Sequence, residues 1–346
     1  MALATVVKVE ESSYRRIGAR MLVAANGRFV GGISGGCLEG DALRKAQYAI
    51  YKKTPSKVVY DTLEEEEHQI GVGLGCNGRI EILFMPLEEG AANGPIALLR
   101  EAVQANRPSV LLKRIGGGEE GALGRSVLLL EGQNVSGFAD LDREKLVAIV
   151  EEVFERRRSK IINPSENNNV EVLVEFLRPE TRLIIVGNNY DVNAMIGIGQ
   201  VLGWQISVVG KKEKLLKSIT ESVHKTYDYS EVAQLPLDAY TAVLLMTHDY
   251  AWDLKILPHF LAHPIPYLGL LGPKKRFHKL NQDLQKSDPT LDLTKLAYLH
   301  APTGLDIGAE SPEEIALSVA AEILGVLRAR NSQKLKHRIG PIHSRD

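Results

Sequence analysis

Hydrophobic and polar positions follow different patterns in the two parts of the chain. In the first part, short apolar runs such as ATVVKV, ARMLVA and RFVGGI are separated by turns, and Asn26-Gly27 between the last two predicts a hairpin with a two-residue turn. Helical spacing covers residues 38–53, 95–105 and 142–157, with strand-like runs between them. This pattern predicts a mixed α+β domain over residues 1–175.

From Arg182 onward, buried strands alternate with helical stretches. RLIIVG, WQISVVG, YTAVLLMT and IPYLGLLG are apolar runs, each followed by residues at helical spacing. The alternation predicts a Rossmann-like, doubly wound parallel sheet over residues 182–330, ending in a helix that starts near Pro312 behind a Ser311 to Glu314 capping box. The segment FLRPETR suits a linker, and residues 331–346 form a basic tail.

Composition excludes several classes of protein. The 346 residues carry a formal net charge of −1, so no global field would attract nucleic acid or a membrane surface, and the apolar runs are too short to span a bilayer. Only two cysteines are present, both in glycine-rich turns, which favours a reducing compartment over a disulfide framework. We therefore expect a cytoplasmic protein that binds neither nucleic acid nor membrane.

The cysteines are the first candidates for chemistry. Cys37 lies in GGISGGCLEG, directly before the helix predicted from residue 38, and Cys76 lies in GVGLGCNGR. A helix N-terminus favours a thiolate or a bound anion, and the glycines expose backbone N–H groups. The alternative is a tight turn in which a small cysteine merely fits. No metal site is expected, because neither cysteine has CxxC or HxxxH spacing.

The turn after the first strand of the second domain departs from a dinucleotide-binding pattern. It reads GNNYD from Gly187, so Asn189 stands where GxGxxG needs its second glycine. The second strand ends at Gly210, followed by two lysines, instead of at an acidic residue that would hold a ribose. NAD(P) is therefore not an expected cofactor, although the lysines could meet a phosphate. An NAD(P)-dependent oxidoreductase with His248 as proton donor is kept as an alternative.

Three other segments of this domain carry polar groups at strand ends. His248 follows a central strand, where it could act as an acid, a base or a ligand, or could cap the next helix. Gly272 and Lys274 open a basic strand-to-helix turn that could hold an anion, with plain surface solvation as the alternative. The loop HAPTGLDIGAESPEE contains His300, Asp306 and Glu310 and is a further candidate.

Several of these stretches together resemble one known family. GGISGGCLEG, GLGCNGRIEILFMPL, MTHDYAWDLKILPHFL, PYLGLLGPKKR and LHAPTGLDIGAESPEEIALSVAAEIL, after an initial ATVVKVEESSYRRIGARMLV, resemble the xanthine dehydrogenase accessory family, XdhC/CoxI. Cys37 matches its GGCxE pattern, and residues 12–19 match its SSxRxxGA segment. The GNNYD turn departs from the GAGHD-like turn of the family, and Gly210 from a common aspartate.

The resemblance implies a chaperone of molybdenum cofactor rather than an enzyme. Such a protein would bind and protect molybdopterin and help deliver its sulfurated form to a molybdenum hydroxylase such as xanthine dehydrogenase; a cysteine desulfurase is a second possible partner, and a homodimer is expected. The alternative that the protein is a non-catalytic scaffold, with a decayed nucleotide site, is kept. The expected cofactor-binding residues are Arg15, Arg16, Gly35, Gly36, Cys37, Glu39, Gly75, Cys76, Gly187, His248, Gly272 and Lys274. Of these, Cys37, and less so Cys76, could contact molybdenum or a transferable sulfur.

Overall fold

The computed structural model describes residues 1–11, 15–61, 78–88, 90–91, 93–117, 119, 121–135, 138, 141–163 and 170–339. The chain divides into two compact units, Met1–Pro179 and Glu180–Asp346. This division falls inside the FLRPETR segment, while the domain limits at residues 175 and 182 stay predictions.

The first sheet of the N-terminal unit is antiparallel and carries one helix. Its strands are β1 (Ala2–Glu11), β2 (Arg20–Val23), β3 (Phe29–Gly31), β4 (Ser56–Asp61) and β5 (Gly78–Pro86), in the order β3-β2-β1-β5-β4. Helix α1 (Glu39–Lys52) turns a stripe of alanines onto one face of this sheet, because small side chains at helical spacing let a helix approach closely. The stripe consists of Ala42, Ala46 and Ala49.

The predicted hairpin is present, but its turn is longer than two residues. The N–H of Ala24 donates to the carbonyl of Arg28 at 2.8 Å, which leaves three residues in the loop. Gly27 has φ +84° and takes the left-handed position that such a loop requires, so Asn26-Gly27 forms the end of a three-residue loop. The predicted two-residue turn is therefore wrong in length.

A second antiparallel sheet completes the N-terminal unit. It has the order β7-β6-β9-β8 and is built from β6 (Ser109–Gly116), β7 (Ser126–Leu130), β8 (Lys160–Ile162) and β9 (Glu171–Leu177). Helix α2 (Pro95–Ala105) precedes it, and α3 (Arg143–Arg156) packs Leu146, Val150 and Val153 against it. Asp142 caps α3 by accepting the N–H groups of Glu144 and Lys145.

Charged groups are buried within this N-terminal unit. Arg20 donates both bonds of a forked pair to Glu175, at 2.8 and 2.6 Å. Gly18, with φ +90°, lies against the same carboxylate, so a Cβ there would collide with it. Lys113 is fully buried, and burial lowers its pKa to about 8, which the nearby Glu175 carboxylate only partly opposes.

The C-terminal unit is a six-stranded parallel sheet. Its order β12-β11-β10-β13-β14-β15 is formed by β10 (Arg182–Val186), β11 (Gln205–Val209), β12 (Lys225–Tyr227), β13 (Thr241–Leu245), β14 (Tyr267–Leu270) and β15 (Leu299–His300). Successive strands run outward from β10 in both directions. The switch point at which such sheets bind ligands therefore lies between β10 and β13. The predicted Rossmann-like doubly wound sheet is confirmed.

Helices cover both faces of this sheet. Helices α4 (Val192–Val201), α5 (Lys217–Ser222) and α8 (Pro312–Leu327) contribute to one core, and α6 (Tyr250–Leu261) and α7 (Lys274–Ser287) to the other. The capping box of α8 forms as predicted, with Ser311 and Glu314 bonding each other's backbone N–H. Across the described residues, no helix is both long and apolar enough to cross a membrane.

Candidate functional site

Cys37 lies in the turn between β3 and α1. The helix begins at Glu39, two residues after the cysteine, as the sequence predicts. The Cys37 side chain is half-buried and packs against the core beneath α1, whereas Gly35 and Gly36 are exposed. Space around Gly36 is open, since a Cβ there would meet no atom within 4 Å. The thiol is thus reachable from a surface made of backbone.

Most of the backbone donors of this turn are already bonded within the turn. Glu39 accepts the N–H groups of Ile33 and Ser34 at 3.2 and 2.8 Å, and its other oxygen accepts the Ser34 hydroxyl. Ser34 Oγ in turn accepts the N–H groups of Gly36 at 3.2 Å and Leu38 at 3.1 Å. The expectation that the whole turn exposes open N–H donors is corrected, because Ser34 and Glu39 accept four of these N–H groups, those of Ile33, Ser34, Gly36 and Leu38.

Glu39 therefore holds the loop, and its expected contact with a cofactor stays a prediction. Burial alone would raise the pKa of Glu39, but the hydrogen bonds from Ser34 and Ile33 outweigh burial and hold the pKa below its usual value. Among the residues that the structure describes, the N–H groups of Gly35 and Cys37 have no acceptor. These two donors flank Gly36 and point to the part of the turn that remains available to a ligand.

Both candidate arginines are exposed, and Arg15 contacts this turn. Arg15 donates from Nε to the carbonyl of Ser34 at 3.3 Å, which places its guanidinium beside the loop, and Arg16 is exposed on the same segment. Arg20 is different, because its forked pair with Glu175 commits it to the interior of the unit. Gly75 and Cys76, with Ser12 and Ser13 of the SSxRxxGA segment, lie outside the described residues.

The turn after β10 is shaped by its contact with β13. A Cβ on Gly187 would lie 2.5 Å from the carbonyl oxygen of Met246, so only glycine fits there. Asn189 donates from Nδ2 to the carbonyls of Met246 and Thr247, both at 3.4 Å. The side chain that replaces the second glycine of the dinucleotide pattern thus ties the two strand ends together.

His248 forms a pair with an aspartate that the sequence did not single out. Its Nε2 lies 2.8 Å from Asp191 Oδ2, with side chains 56% and 14% exposed, respectively. The possibility that His248 caps α6 is wrong, because Asp249 is the cap and accepts the N–H groups of Ala251 and Trp252. His248 instead has φ +54°, a left-handed conformation that is uncommon for a histidine.

A buried carboxylate organises the next strand end. Asp253 is 3% exposed, accepts the Thr247 hydroxyl at 2.5 Å and pairs with Arg276 at 2.5 and 3.1 Å. The stem of Arg276 lies 3.2 Å from where a Cβ of Gly272 would be, so that glycine makes room for the pair. Lys274 is the first residue of α7 and is exposed. One cation of the basic turn, Arg276, is therefore neutralised by the Asp253 carboxylate, while Lys274 stays exposed.

The lysines after β11 are also engaged. Lys212 pairs with Glu231 at 2.7 Å, and the Lys211 ammonium lies 5.9 Å from the centre of the Trp252 ring. A Cβ on Gly210 would lie 3.1 Å from a Leu215 methyl group, so an aspartate in its place would need local rearrangement. These contacts give the departure from the dinucleotide pattern a structural reason.

The loop that carries His300 is fastened to the last helix. His300 stacks on Tyr267, with ring centres 4.5 Å apart, and its Nδ1 lies 3.3 Å from Glu322. Glu322 also accepts the Tyr267 hydroxyl at 2.7 Å and the N–H of Gly304 at 2.8 Å. This network holds the loop in place, while Asp306 and Glu310 are exposed beyond it. Within the described residues, no three His, Cys, Asp or Glu side chains form a group that could hold a metal ion.

Fold and site together define a class of protein: an α+β unit with a thiol-bearing glycine turn, followed by a Rossmann-type unit with an altered nucleotide turn. Residues 1–61 match the XdhC and CoxI family, and residues 183–323 match the XdhC Rossmann domain. The chain belongs to the XdhC and CoxI family, as the resemblance of its motifs predicted.

Similar proteins extend over nearly the whole chain. A Bacillus subtilis protein, named as a probable component of xanthine dehydrogenase, is 26% identical over 93% of this chain and 92% of its own length. The Escherichia coli molybdenum cofactor insertion chaperone PaoD is 24% identical over 94% of this chain and 82% of its own length. A solved structure from Bacillus halodurans, described as a xanthine dehydrogenase, is 29% identical and covers 97% of this chain and 93% of that one, with a TM-score of 0.73.

Proposed function

We propose that this protein is an accessory protein of molybdenum enzymes that binds molybdenum cofactor, protects it and helps insert the sulfurated form into a xanthine dehydrogenase-type hydroxylase. Family membership and the insertion chaperone among its relatives support this role. The observation that carries the proposal is the turn around Cys37, where a half-buried thiol lies between exposed glycines. Arg15 beside the turn supplies positive charge.

The residues of this turn suit such a cargo. Molybdopterin is an anionic pterin with a phosphate, which backbone N–H groups and a guanidinium bind well. Gly35 and Cys37 offer the N–H groups that have no acceptor in the described part of the chain, and Arg15 lies beside them. A thiolate is a soft ligand, so Cys37 is chemically suited to contact molybdenum or a transferable sulfur. Ser34 and Glu39 would keep the turn preformed while the cargo binds and leaves.

The proposal is tested by replacing the thiol. We expect Cys37→Ala to purify with at least about tenfold less molybdenum and pterin than wild type, and to lower activation of a co-expressed xanthine dehydrogenase in proportion. Metal analysis and fluorescence of the oxidised pterin give the first quantity, and urate formation gives the second. Cys76→Ala tests the second candidate thiol in the same two assays. Normal cargo content and normal activation in Cys37→Ala would exclude the thiol from the mechanism.

Three finer points are part of the same proposal. A homodimer, a cytoplasmic location and a cysteine desulfurase as sulfur-donating partner would suit a chaperone that receives and passes on a sulfurated cofactor. Light scattering of the purified chain tests the dimer. Copurification with a tagged desulfurase tests the partner, and fractionation of cells tests the location.

A further inference from the structure

Two histidines lie together at the end of α6, in a different unit from the turn that the proposed function uses. His259 belongs to the last turn of this helix, and His263 directly follows its C-cap, Ala262. The ring centres are 4.7 Å apart, and the ring planes are tilted by 49°. Two imidazoles that bind one zinc ion through bonds of about 2.0–2.1 Å, at a near-tetrahedral angle, have ring centres about 5 Å apart. The two rings therefore already have the separation of a pair that shares an ion.

The ring of His263 is oriented by the helix that it follows. Its Nδ1 lies 2.8 Å from the carbonyl oxygen of His259. A carbonyl can only accept, so Nδ1 carries the hydrogen of the neutral ring and Nε2 keeps its lone pair. Within the described ranges, Nε2 has no hydrogen-bond partner and is open to solvent. A metal-binding histidine has this arrangement, with one nitrogen donating to an acceptor and the other free for the ion.

The ring of His259 is oriented by a neighbouring segment. Val232, in the short 3₁₀ helix Tyr229–Gln234, offers its backbone carbonyl to this ring. Nε2 of His259 is buried without another partner in the described part of the chain, whereas Nδ1 is open to solvent and makes no hydrogen bond there. Burial and the nearby His263 outweigh the Val232 contact and hold the pKa of His259 below its usual value. His259 is therefore neutral at pH 7, as a metal ligand has to be.

The end of α6 also favours a cation. The free carbonyl groups at a helix C-terminus carry partial negative charge, which stabilises positive charge near the last turn. Imidazole nitrogens suit Zn²⁺, Ni²⁺ and Cu²⁺, whereas Mg²⁺ and Ca²⁺ take oxygen ligands. The HxxxH spacing that both cysteines lack is present at His259 and His263.

The number of protein ligands limits how firmly an ion would be held. Among the described residues, no third His, Cys, Asp or Glu completes a metal-binding group. Water would therefore fill the remaining coordination positions. Such a site would exchange its ion readily and would not be a closed structural zinc site, which has four protein ligands.

We propose that His259 Nδ1 and His263 Nε2 form a two-histidine site for an exchangeable divalent transition-metal ion, with water as the remaining ligands. The site lies in the C-terminal unit and shares no residue with the proposed cofactor site. It therefore goes beyond the proposed function and stands independently of it.

Binding is tested by titrating the full chain with Ni²⁺ in a calorimeter. We expect saturable binding that is weakened about tenfold or more in His263→Gln, because one of the two protein ligands is then lost. His278→Gln, on an exposed histidine of α7, is the matched control and should bind Ni²⁺ like wild type. An excess of Mg²⁺ should not compete, since it prefers oxygen ligands.

The ligand atoms have their own spectroscopic signature. In ¹⁵N NMR of the imidazoles, Zn²⁺ should shift His259 Nδ1 and His263 Nε2, the two nitrogens that have a free lone pair. The signals of His278 should stay unchanged. A merely structural role of the two rings would leave all of these signals where they are.

A bound ion should also stabilise the fold, because it binds the native arrangement of the two rings better than the unfolded chain. We expect Ni²⁺ to raise the melting temperature of wild type and of His278→Gln. It should not raise that of His263→Gln, although this variant should fold, since the replaced ring lies at the end of α6 and is only half-buried.

Several results would overturn this site. They are the absence of saturable Ni²⁺ binding, an affinity that His263→Gln leaves intact, or a Zn²⁺-induced shift at neither histidine. Cys37→Ala separates the site from the proposed chaperone function. This variant should bind Ni²⁺ like wild type even where cofactor loading is lost, and loss of Ni²⁺ binding in it would place the ion at the thiol instead.

Discussion

The turn before α1 and the turn before α4 both lead from a strand through glycine into a helix, yet their carboxylates do opposite things. Glu39 folds back and bonds the N–H groups of its own turn, leaving Gly35 and Cys37 as available donors. Asp191 bonds none of its turn and instead holds His248 from the neighbouring strand end. A glycine-rich strand-to-helix turn is therefore not in itself an open anion site, and its nearest carboxylate decides what it can bind.

The largest expected difference between the two turns is in stability, when a glycine of each turn is replaced by alanine. Gly187→Ala would drive a Cβ into the carbonyl of Met246 and force β10 and β13 apart, so we expect a loss of about 3 kcal/mol or more in the free energy of unfolding. The added methyl group of Gly36→Ala meets open space, so the free energy of unfolding should fall only by the strain of holding alanine at φ +114°, about 1–2 kcal/mol. Urea unfolding of both variants measures the difference. Equal losses would contradict the close approach of the two strand ends.

The Glu39 bonds should stabilise the first turn to a smaller extent. Glu39→Gln keeps the shape, but it removes the charge from three hydrogen bonds and replaces one accepting oxygen by an NH2 group, which we expect to cost about 1–2 kcal/mol at neutral pH. Glu144→Gln, in the first turn of α3 and exposed, is the matched control and should change stability by less than about 0.5 kcal/mol. Urea unfolding at pH 7 measures both.

The Glu39 contribution should also depend on pH with a defined sign. Its folded pKa is below the ordinary value of 4.5, so the unfolded chain binds the proton more readily, and the stabilisation is complete above that pH. It should be lost as the pH falls through the lower folded pKa. The difference in the free energy of unfolding between wild type and Glu39→Gln should therefore narrow below about pH 4.5. A difference that stays constant there would show that the hydrogen bonds from Ser34 and Ile33 do not stabilise the Glu39 carboxylate.

How much of this the sequence could predict depends on how far apart the interacting residues are. The bounds of α2 follow from Pro95 at its start and Asn106 at its end, both local signals, and the parallel sheet follows from its apolar runs. Arg20 with Glu175 joins residues 155 apart, and His248 with Asp191 joins residues 57 apart. No local pattern reports such pairs. Ser34 and Glu39 are only five apart, but their bonds depend on a turn geometry that the glycines alone do not specify.

The smallest expected effect is that of replacing Asn189. This replacement separates two obstacles to nucleotide binding in the turn before α4, the Asn189 side chain and the Asp191 carboxylate. Asn189→Gly restores the second glycine of the dinucleotide pattern and removes only two long hydrogen bonds, so stability should change by less than about 1 kcal/mol. NAD and NADP should still bind no better than in the millimolar range by calorimetry, because the Asp191 carboxylate remains at the N-terminus of α4. If Asn189→Gly gained micromolar affinity, the side chain rather than the charge would be the obstacle. If wild type already bound either nucleotide at micromolar concentration, the C-terminal unit would be a nucleotide-binding unit after all, since neither the amide nor the carboxylate would then keep the pyrophosphate out.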